Sequence, residues 1–213
     1  MLYLEQVCPY PLLKHRNLRQ SEVWAGRCLF KEGKRYLIEA PSGTGKSTFL
    51  HLLYGLRDDY DGKVELNGED IRQLGANGWA EVRKTNLSIV FQDLRLFPQL
   101  NGLENILIKN NLTHHKTVDE IHQMAARLGV MDVLEQAVPT LSYGQQQRIG
   151  LIRALCQPFD FLLLDEPFSH LDADNVSLAR DLIEGELKQR GAGLLLVTLG
   201  VDYGFESDFR LRL

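Results

Sequence analysis

Residues 36–56 read YLIEAPSGTGKSTFLHLLYGL. An apolar run without polar alternation is the pattern of a strand buried on both faces, as in the middle of a parallel sheet. A glycine-rich stretch follows, and then a segment with Phe49, Leu50, Leu53 and Leu56 at the inward positions of a helix. In the loop Ser42-Gly43-Thr44-Gly45-Lys46-Ser47, the glycines let backbone N–H groups converge on phosphate oxygens. Lys46 would reach the β- and γ-phosphates as a point charge, and the Ser47 hydroxyl would ligate Mg²⁺. The pattern G-x-x-x-x-G-K-[ST] is met except at its first glycine, where Ala40 stands. Strand, loop and helix in this order predict nucleotide binding.

The remainder of the chain extends the same architecture. LSIVF (87–91), FLLLD (161–165) and LLLVT (194–198) read as further buried strands that alternate with helical stretches. The implied fold is α/β with a mostly parallel sheet. DGKVELNGEDI (61–71) reads as an antiparallel excursion with Asp-Gly and Asn-Gly as turn signals. Together with residues 2–7 and 22–30 it predicts a small β-rich flank. Between Phe91 and Phe161 no strand is evident, whereas NGLENILIKNN, KTVDEIHQMAARLGV and SYGQQQRIGLIRALCQ carry helical spacing, so a helical lobe is expected there.

Charge and cysteine content narrow the partners. Lys and Arg total 24 against 28 Asp and Glu, a formal net charge of -4, which gives no general pull toward nucleic acid. Cys8, Cys28 and Cys156 are odd in number and widely spaced, which suits reduced thiols in the cytoplasm. The opening MLYLEQVCPY lacks the basic start and apolar stretch of a signal peptide, and no apolar run approaches the length needed to span a bilayer.

FLLLDEP ends a predicted buried strand in two adjacent carboxylates, Asp165 and Glu166. Ligands of parallel sheets sit beyond the carboxyl ends of the strands, so both acids should share the edge that carries the phosphate loop. Successive side chains on a strand point opposite ways, which assigns them different tasks. Asp165 would hold Mg²⁺, and Glu166 would orient or deprotonate water attacking the γ-phosphate. The reaction class implied is hydrolysis of a nucleoside triphosphate.

LSYGQQQR (141–148) adds a helix start, with Ser142 as the cap and Gly144 leaving the backbone bare, a suitable anion site. With this stretch the chain resembles the ATP-binding cassette (ABC) ATPases over essentially its whole length. APSGTGKST, which includes Thr48, is similar to the family's Walker A loop, Gln92 in IVFQD to its Q-loop, LSYGQQQR to its LSGGQ signature, FLLLDEP to Walker B, and SHLD (169–172) to its D-loop. The resemblance implies one nucleotide-binding domain over 1–213, with a helical subdomain over about 94–157 inserted in a P-loop core. It implies ATP and Mg²⁺ as ligands, and Gln92 as a residue that senses Mg²⁺ and couples the site, through Asp93 to Leu103, to a membrane partner. Ser142, Gly144 and Gln145 would close over the nucleotide of a second cassette in a homodimer or heterodimer. Tyr143 replaces the second signature glycine. An aromatic residue should stack on adenine ahead of the loop; Tyr10 is the candidate, with Tyr3 as the other choice.

One position departs from the family more seriously. The strand LLLVT should be followed by a histidine that contacts the γ-phosphate, and Leu199 stands there. Leucine has no donor, acceptor or proton. Binding is therefore expected to survive better than turnover. The expected protein is the ATPase subunit of a membrane ABC transporter, peripheral on the cytoplasmic face, working with a membrane-embedded permease. FPQLNGLENI after the Q-loop resembles cassettes of the lipoprotein-release, macrolide-export and cell-division type, and DFRLRL reads as a last strand with no regulatory extension after it. The alternative is an ATP-gated regulatory cassette that signals to a membrane partner by dimer closure without transporting a substrate.

Overall fold

The computed structural model describes residues 1–13, 21–24, 26–41 and 43–213. Its centre is a five-stranded parallel sheet made of β3 (Arg35–Glu39), β6 (Leu87–Val90), β7 (Phe161–Asp165), β8 (Gly193–Thr198) and β9 (Phe209–Arg212), in the order β6-β7-β8-β3-β9. All four apolar runs marked in the sequence lie in this sheet, and β6, β7 and β8 are buried throughout. Their side chains alternate between two cores. Ile38, Phe161, Leu163, Leu195 and Val197 face the core that holds Trp24, Phe30 and Phe49 of the flank and first helix; Leu37, Leu162, Leu164, Leu194 and Leu196 face the core shared with the other helices. Burial on both faces is why these strands show no alternation in sequence.

The β-rich flank is a four-stranded antiparallel sheet of β1 (Leu2–Pro9), β2 (Arg27–Phe30), β4 (Tyr60–Leu66) and β5 (Glu69–Asp70), in the order β2-β1-β4-β5. Asn67 and Gly68, both at positive φ, turn β4 into β5 as expected. The Asp-Gly pair does something else. Asp61 and Gly62 lie within β4, opposite a register shift in β1 between Glu5 and Cys8. Gly62 is there because the bulged strand approaches so closely that a Cβ would stand 2.3 Å from the Gln6 carbonyl oxygen, at a φ of +90°.

Helix α1 (Lys46–Leu53) follows β3 directly, and α2 (Ala76–Thr85) precedes β6. Three helices, α3 (Gly102–Asn110), α4 (Val118–Arg127) and α5 (Tyr143–Leu155), fill the span between β6 and β7. Each begins with a reciprocal capping box: Asn101 with Glu104, Thr117 with Glu120, and Ser142 with Gln145. The long helix α6 (Ala173–Arg190) lies between β7 and β8 and holds this helical layer through a buried ion pair, Glu186 to Lys116 at 2.9 Å.

Candidate functional site

The carboxyl ends of β3, β7 and β8 come together at one edge of the parallel sheet, and the glycine-rich loop leaves from β3 at that edge. Gly43 and Gly45 sit at φ of +81° and +99°, values that a side chain would strain. Gly45 has a second constraint, since a Cβ would meet Leu12 Cδ1 at 2.6 Å. Ala40, in the place of the pattern's first glycine, is buried, and its carbonyl oxygen accepts a hydrogen bond from Lys46 Nζ at 3.1 Å. The extra methyl is therefore accommodated in the core. Thr44 closes the loop by donating its hydroxyl to the Pro41 carbonyl at 2.8 Å, and Thr48 is half-buried on α1. Ser42 lies outside the described residues.

Two contacts join this loop to the end of β7. Lys46 Nζ lies 3.0 Å from Glu166 Oε1, with both side chains about nine-tenths buried. The Ser47 hydroxyl donates to Asp165 Oδ2 at 2.8 Å, while Asp165 Oδ1 is buried without a hydrogen-bond partner among the described residues. Burial pushes the Asp165 carboxyl above its usual range, the neighbouring Glu166 charge adds to this, and the Ser47 hydrogen bond opposes it. A buried carboxylate oxygen without a partner, beside a hydroxyl and a lysine, suits a hard cation with oxygen ligands. Ser47 and Asp165 therefore fit Mg²⁺. Glu166 departs from strand geometry at once, with a φ of +46°, and its N–H donates to the Val197 carbonyl at 3.0 Å, fixing it against the end of β8.

Gln92 follows β6 and is exposed. It lines a recess of about 400 Å³ with Ser47, His51, Asp93, Tyr143 and Asp165. Beyond it Leu94 and Arg95 both adopt left-handed conformations, with φ of +57° and +48°. Such backbone costs about 1–2 kcal/mol per residue. Arg153 of α5 holds this backbone, giving its two terminal nitrogens to the Leu94 and Arg95 carbonyls. Ser142 and Gln145 are occupied with capping, the Gln145 N–H donating to Ser142 Oγ at 3.2 Å and the Ser142 N–H to Gln145 Oε1 at 2.8 Å. Gly144 packs so closely on the SHLD segment that a Cβ would stand 3.3 Å from the His170 carbonyl oxygen. No hydrogen bond joins Ser142, Gly144 or Gln145 to the phosphate loop of the same chain among the described residues.

Tyr10 stands on a short 3-10 turn, Tyr10–Leu12, whose Leu12 packs on Gly45; its own ring is half exposed and its hydroxyl donates to Asp61 at 3.3 Å. Tyr3 lies in β1 between Leu29 and Glu65. Leu199, just past β8, is 59% exposed, and the turn there is set by the Gly200 N–H donating to Thr198 Oγ1 at 3.0 Å. Two features had no sequence signal. One is the ion pair of Lys46 with Glu166, far apart in the chain. The other is Tyr143, whose hydroxyl donates to the Gln92 carbonyl at 2.9 Å.

Known proteins share both sequence and fold with this chain. Residues 27–169 match the family model described as ABC transporter. The taurine import ATP-binding protein TauB of Pseudomonas aeruginosa is 37% identical over 174 residues, 80% of this chain and 63% of that protein, so the chain spans less than two-thirds of TauB. The lipoprotein-releasing system ATP-binding protein LolD of Geobacter metallireducens is 32% identical over 170 residues, 78% of this chain and 76% of LolD. A bacterial ABC transporter cassette solved as a dimer superposes with a TM-score of 0.85 at 23% identity, covering 100% of this chain and 94% of that one, which establishes the fold. The family model, the extent of the LolD match and the loop, carboxylates and capped helix in their order show that the chain belongs to the ABC transporter family, as one of its ATP-binding cassettes.

Proposed function

We propose that this chain binds and hydrolyses ATP as the energising subunit of a membrane ABC transporter, over one nucleotide-binding domain, 1–213, with the helical subdomain at about 94–157 inserted. The observation that carries the reading is the convergence of Lys46 and Ser47 with Glu166 and Asp165, across two parallel strands at one sheet edge. Lys46 exchanges Glu166 and the Ala40 carbonyl for the β- and γ-phosphates. Backbone N–H groups of residues 42–48 bind the remaining phosphate oxygens. Ser47, Asp165 and Gln92 form the donor set for Mg²⁺, which supplies charge neutralisation on the phosphates when bound. Glu166, released from Lys46, takes a proton from the attacking water or orients it. Tyr10 stacks on adenine. Ser142, Gly144 and Gln145 serve the nucleotide of a second cassette, identical or related, and no nucleic acid is involved.

Among the described residues no helix is long and apolar enough to cross a membrane. A permease therefore supplies the membrane passage in this reading, and the chain sits against it on the cytoplasmic face. The names of the relatives cover both taurine import and lipoprotein release, so the permease sets substrate and direction. Leu199 slows turnover relative to binding. The same leucine favours a second reading, an ATP-gated cassette that signals by closing on a partner without transport. Two measurements test the leading one. Equilibrium binding of Mg-ATP should be lost in Lys46→Ala, and Glu166→Gln with ATP should run as a dimer in size-exclusion chromatography with light scattering. Absence of Mg-ATP binding by the native chain overturns the whole reading, and a multi-span permease among the proteins purified with it separates transport from signalling.

A further inference from the structure

The Q-loop backbone is gripped from one helix at both ends. Arg153, near the end of α5, donates to the Leu94 carbonyl at 2.5 Å and to the Arg95 carbonyl at 2.7 Å. Tyr143, the first residue of the same helix, donates its hydroxyl to the Gln92 carbonyl at 2.9 Å. The tyrosine ring also meets the His170 ring edge to face, with centroids 4.4 Å apart, and forms part of the wall of the recess that holds Ser47, Gln92 and Asp165. A glycine at 143 could make none of these contacts. The loop between the two grips includes the left-handed residues Leu94 and Arg95, a backbone that persists only where its surroundings hold it.

From this geometry we infer that Tyr143 is a positioning residue for Gln92, tying the Q-loop to the start of the signature helix within one protomer so that the two move as a unit. It touches neither phosphate nor metal in this role; it fixes the carbonyl of Gln92, which lines one recess with Ser47 and Asp165. The inference rests on the proposed Mg-nucleotide site for its chemical meaning, but the tie itself is a property of the chain alone.

Tyr143→Phe removes one hydroxyl and keeps the ring, and the side chain is 40% exposed, so the fold should tolerate it. One lost hydrogen bond of net strength typical for a neutral pair corresponds to about a 3- to 10-fold change in an equilibrium. Hydrogen exchange on the protein without nucleotide should show amides 93–96 exchanging about 3- to 10-fold faster in Tyr143→Phe than in the native chain. The Mg²⁺ concentration that half-saturates binding of a fluorescent ATP analogue should rise by a similar factor, while affinity for that analogue in EDTA stays unchanged. Tyr143→Gly should match or exceed the phenylalanine variant in both. Unchanged exchange at 93–96 in both variants overturns the tie, whether or not the chain binds nucleotide. Faster exchange with an unaltered Mg²⁺ dependence, in a native chain that does bind Mg-ATP, overturns the positioning of Gln92. If the native chain binds no Mg-ATP, the exchange result still decides the tie, and only the function proposed for the site is lost.

Discussion

Leu199→His is the substitution that most directly probes the chemistry of this site. Leu199 is 59% exposed and belongs to neither apolar core, so its removal gives up little burial. The cost in stability should stay within about 0.5 kcal/mol, a melting shift of no more than about 2 °C for a chain of this size. The turn carrying it depends on Thr198 and Gly200, the latter at φ +112°, and neither is changed. That turn stands beside Glu166, whose N–H is bonded to the Val197 carbonyl two residues earlier. An imidazole at 199 is thus placed to add the hydrogen bond and proton-handling group that leucine lacks. A positioned acid–base group is worth about 10²- to 10⁴-fold in rate, or roughly 3–5 kcal/mol of barrier, and that range is the ceiling for the gain. Lys46, Ser47 and Asp165 are untouched, so the Kd for Mg-ATP should move less than about twofold. Phosphate release at saturating Mg-ATP, measured for both proteins with and without Glu166→Gln, provides the assay. Equal turnover in native and histidine proteins, abolished in each by Glu166→Gln, would refute the reasoning, because Glu166 would then suffice beside a leucine.

Two further outcomes follow from buried charges. Asp165→Asn should raise the melting temperature of the protein measured without nucleotide, by about 2–4 °C for each kcal/mol of relieved burial, while Mg²⁺ no longer strengthens nucleotide binding. The sign follows from linkage: a carboxyl whose folded pKa is raised makes the native state hold its proton longer, so stability falls as pH rises from the unfolded value toward the folded one, and the asparagine variant should lose that slope. Lys109 is the opposite case. Burial, together with the charges of Arg153 and Arg83, lowers its pKa to about 8, so the unfolded chain holds the proton through pH 8 to 10.5 and stability should rise over that window. Lys109→Met should stabilise the protein at pH 7 by about 2–3 kcal/mol and flatten the rise, as read by urea midpoints across pH.

The parts of the site that were legible in the sequence are those made by residues close together in the chain. The loop from Ala40 to Thr48 and the pair Asp165-Glu166 each adjoin a fully apolar strand, and parallel pairing of β3, β7 and β8 then carries them to one edge. Ser142 was legible as a helix cap for the same reason, since a cap needs only its own helix turn, whereas its reciprocal partner Gln145 emerged with the structure. Asp61-Gly62 misled because positive φ in glycine has more than one use, and here it serves a bulge in the facing strand rather than a turn. Helix α2 left a faint trace: Asn77 and Gly78 stand in its first turn, and Val82 is its one buried residue. The grip of Tyr143 on Gln92 joins residues brought together only by the finished fold, and for Lys46 and Glu166 the shared sheet edge was legible but not the direct ion pair.

Besides Ala40 in the phosphate loop, Leu199 and Tyr143 depart from the pattern of the family that the chain resembles, and physically these two act in opposite senses. The first removes a polar group from the side of the site where Glu166 stands; the second adds a polar tie on the side where Gln92 stands. Among the described residues no hydrogen bond or ion pair joins either of them to Lys46, Ser47 or Asp165, the residues given the grip on a nucleotide. Under the proposed roles, affinity for Mg-ATP is preserved while the steps after binding change: proton transfer slows, and the Q-loop and signature helix answer as one piece. A cassette altered in this way would spend longer in the nucleotide-bound form in each cycle. That property leans toward signalling but is compatible with slow transport, which makes the number of membrane spans in the partner, rather than the ATPase rate, the observation that separates them.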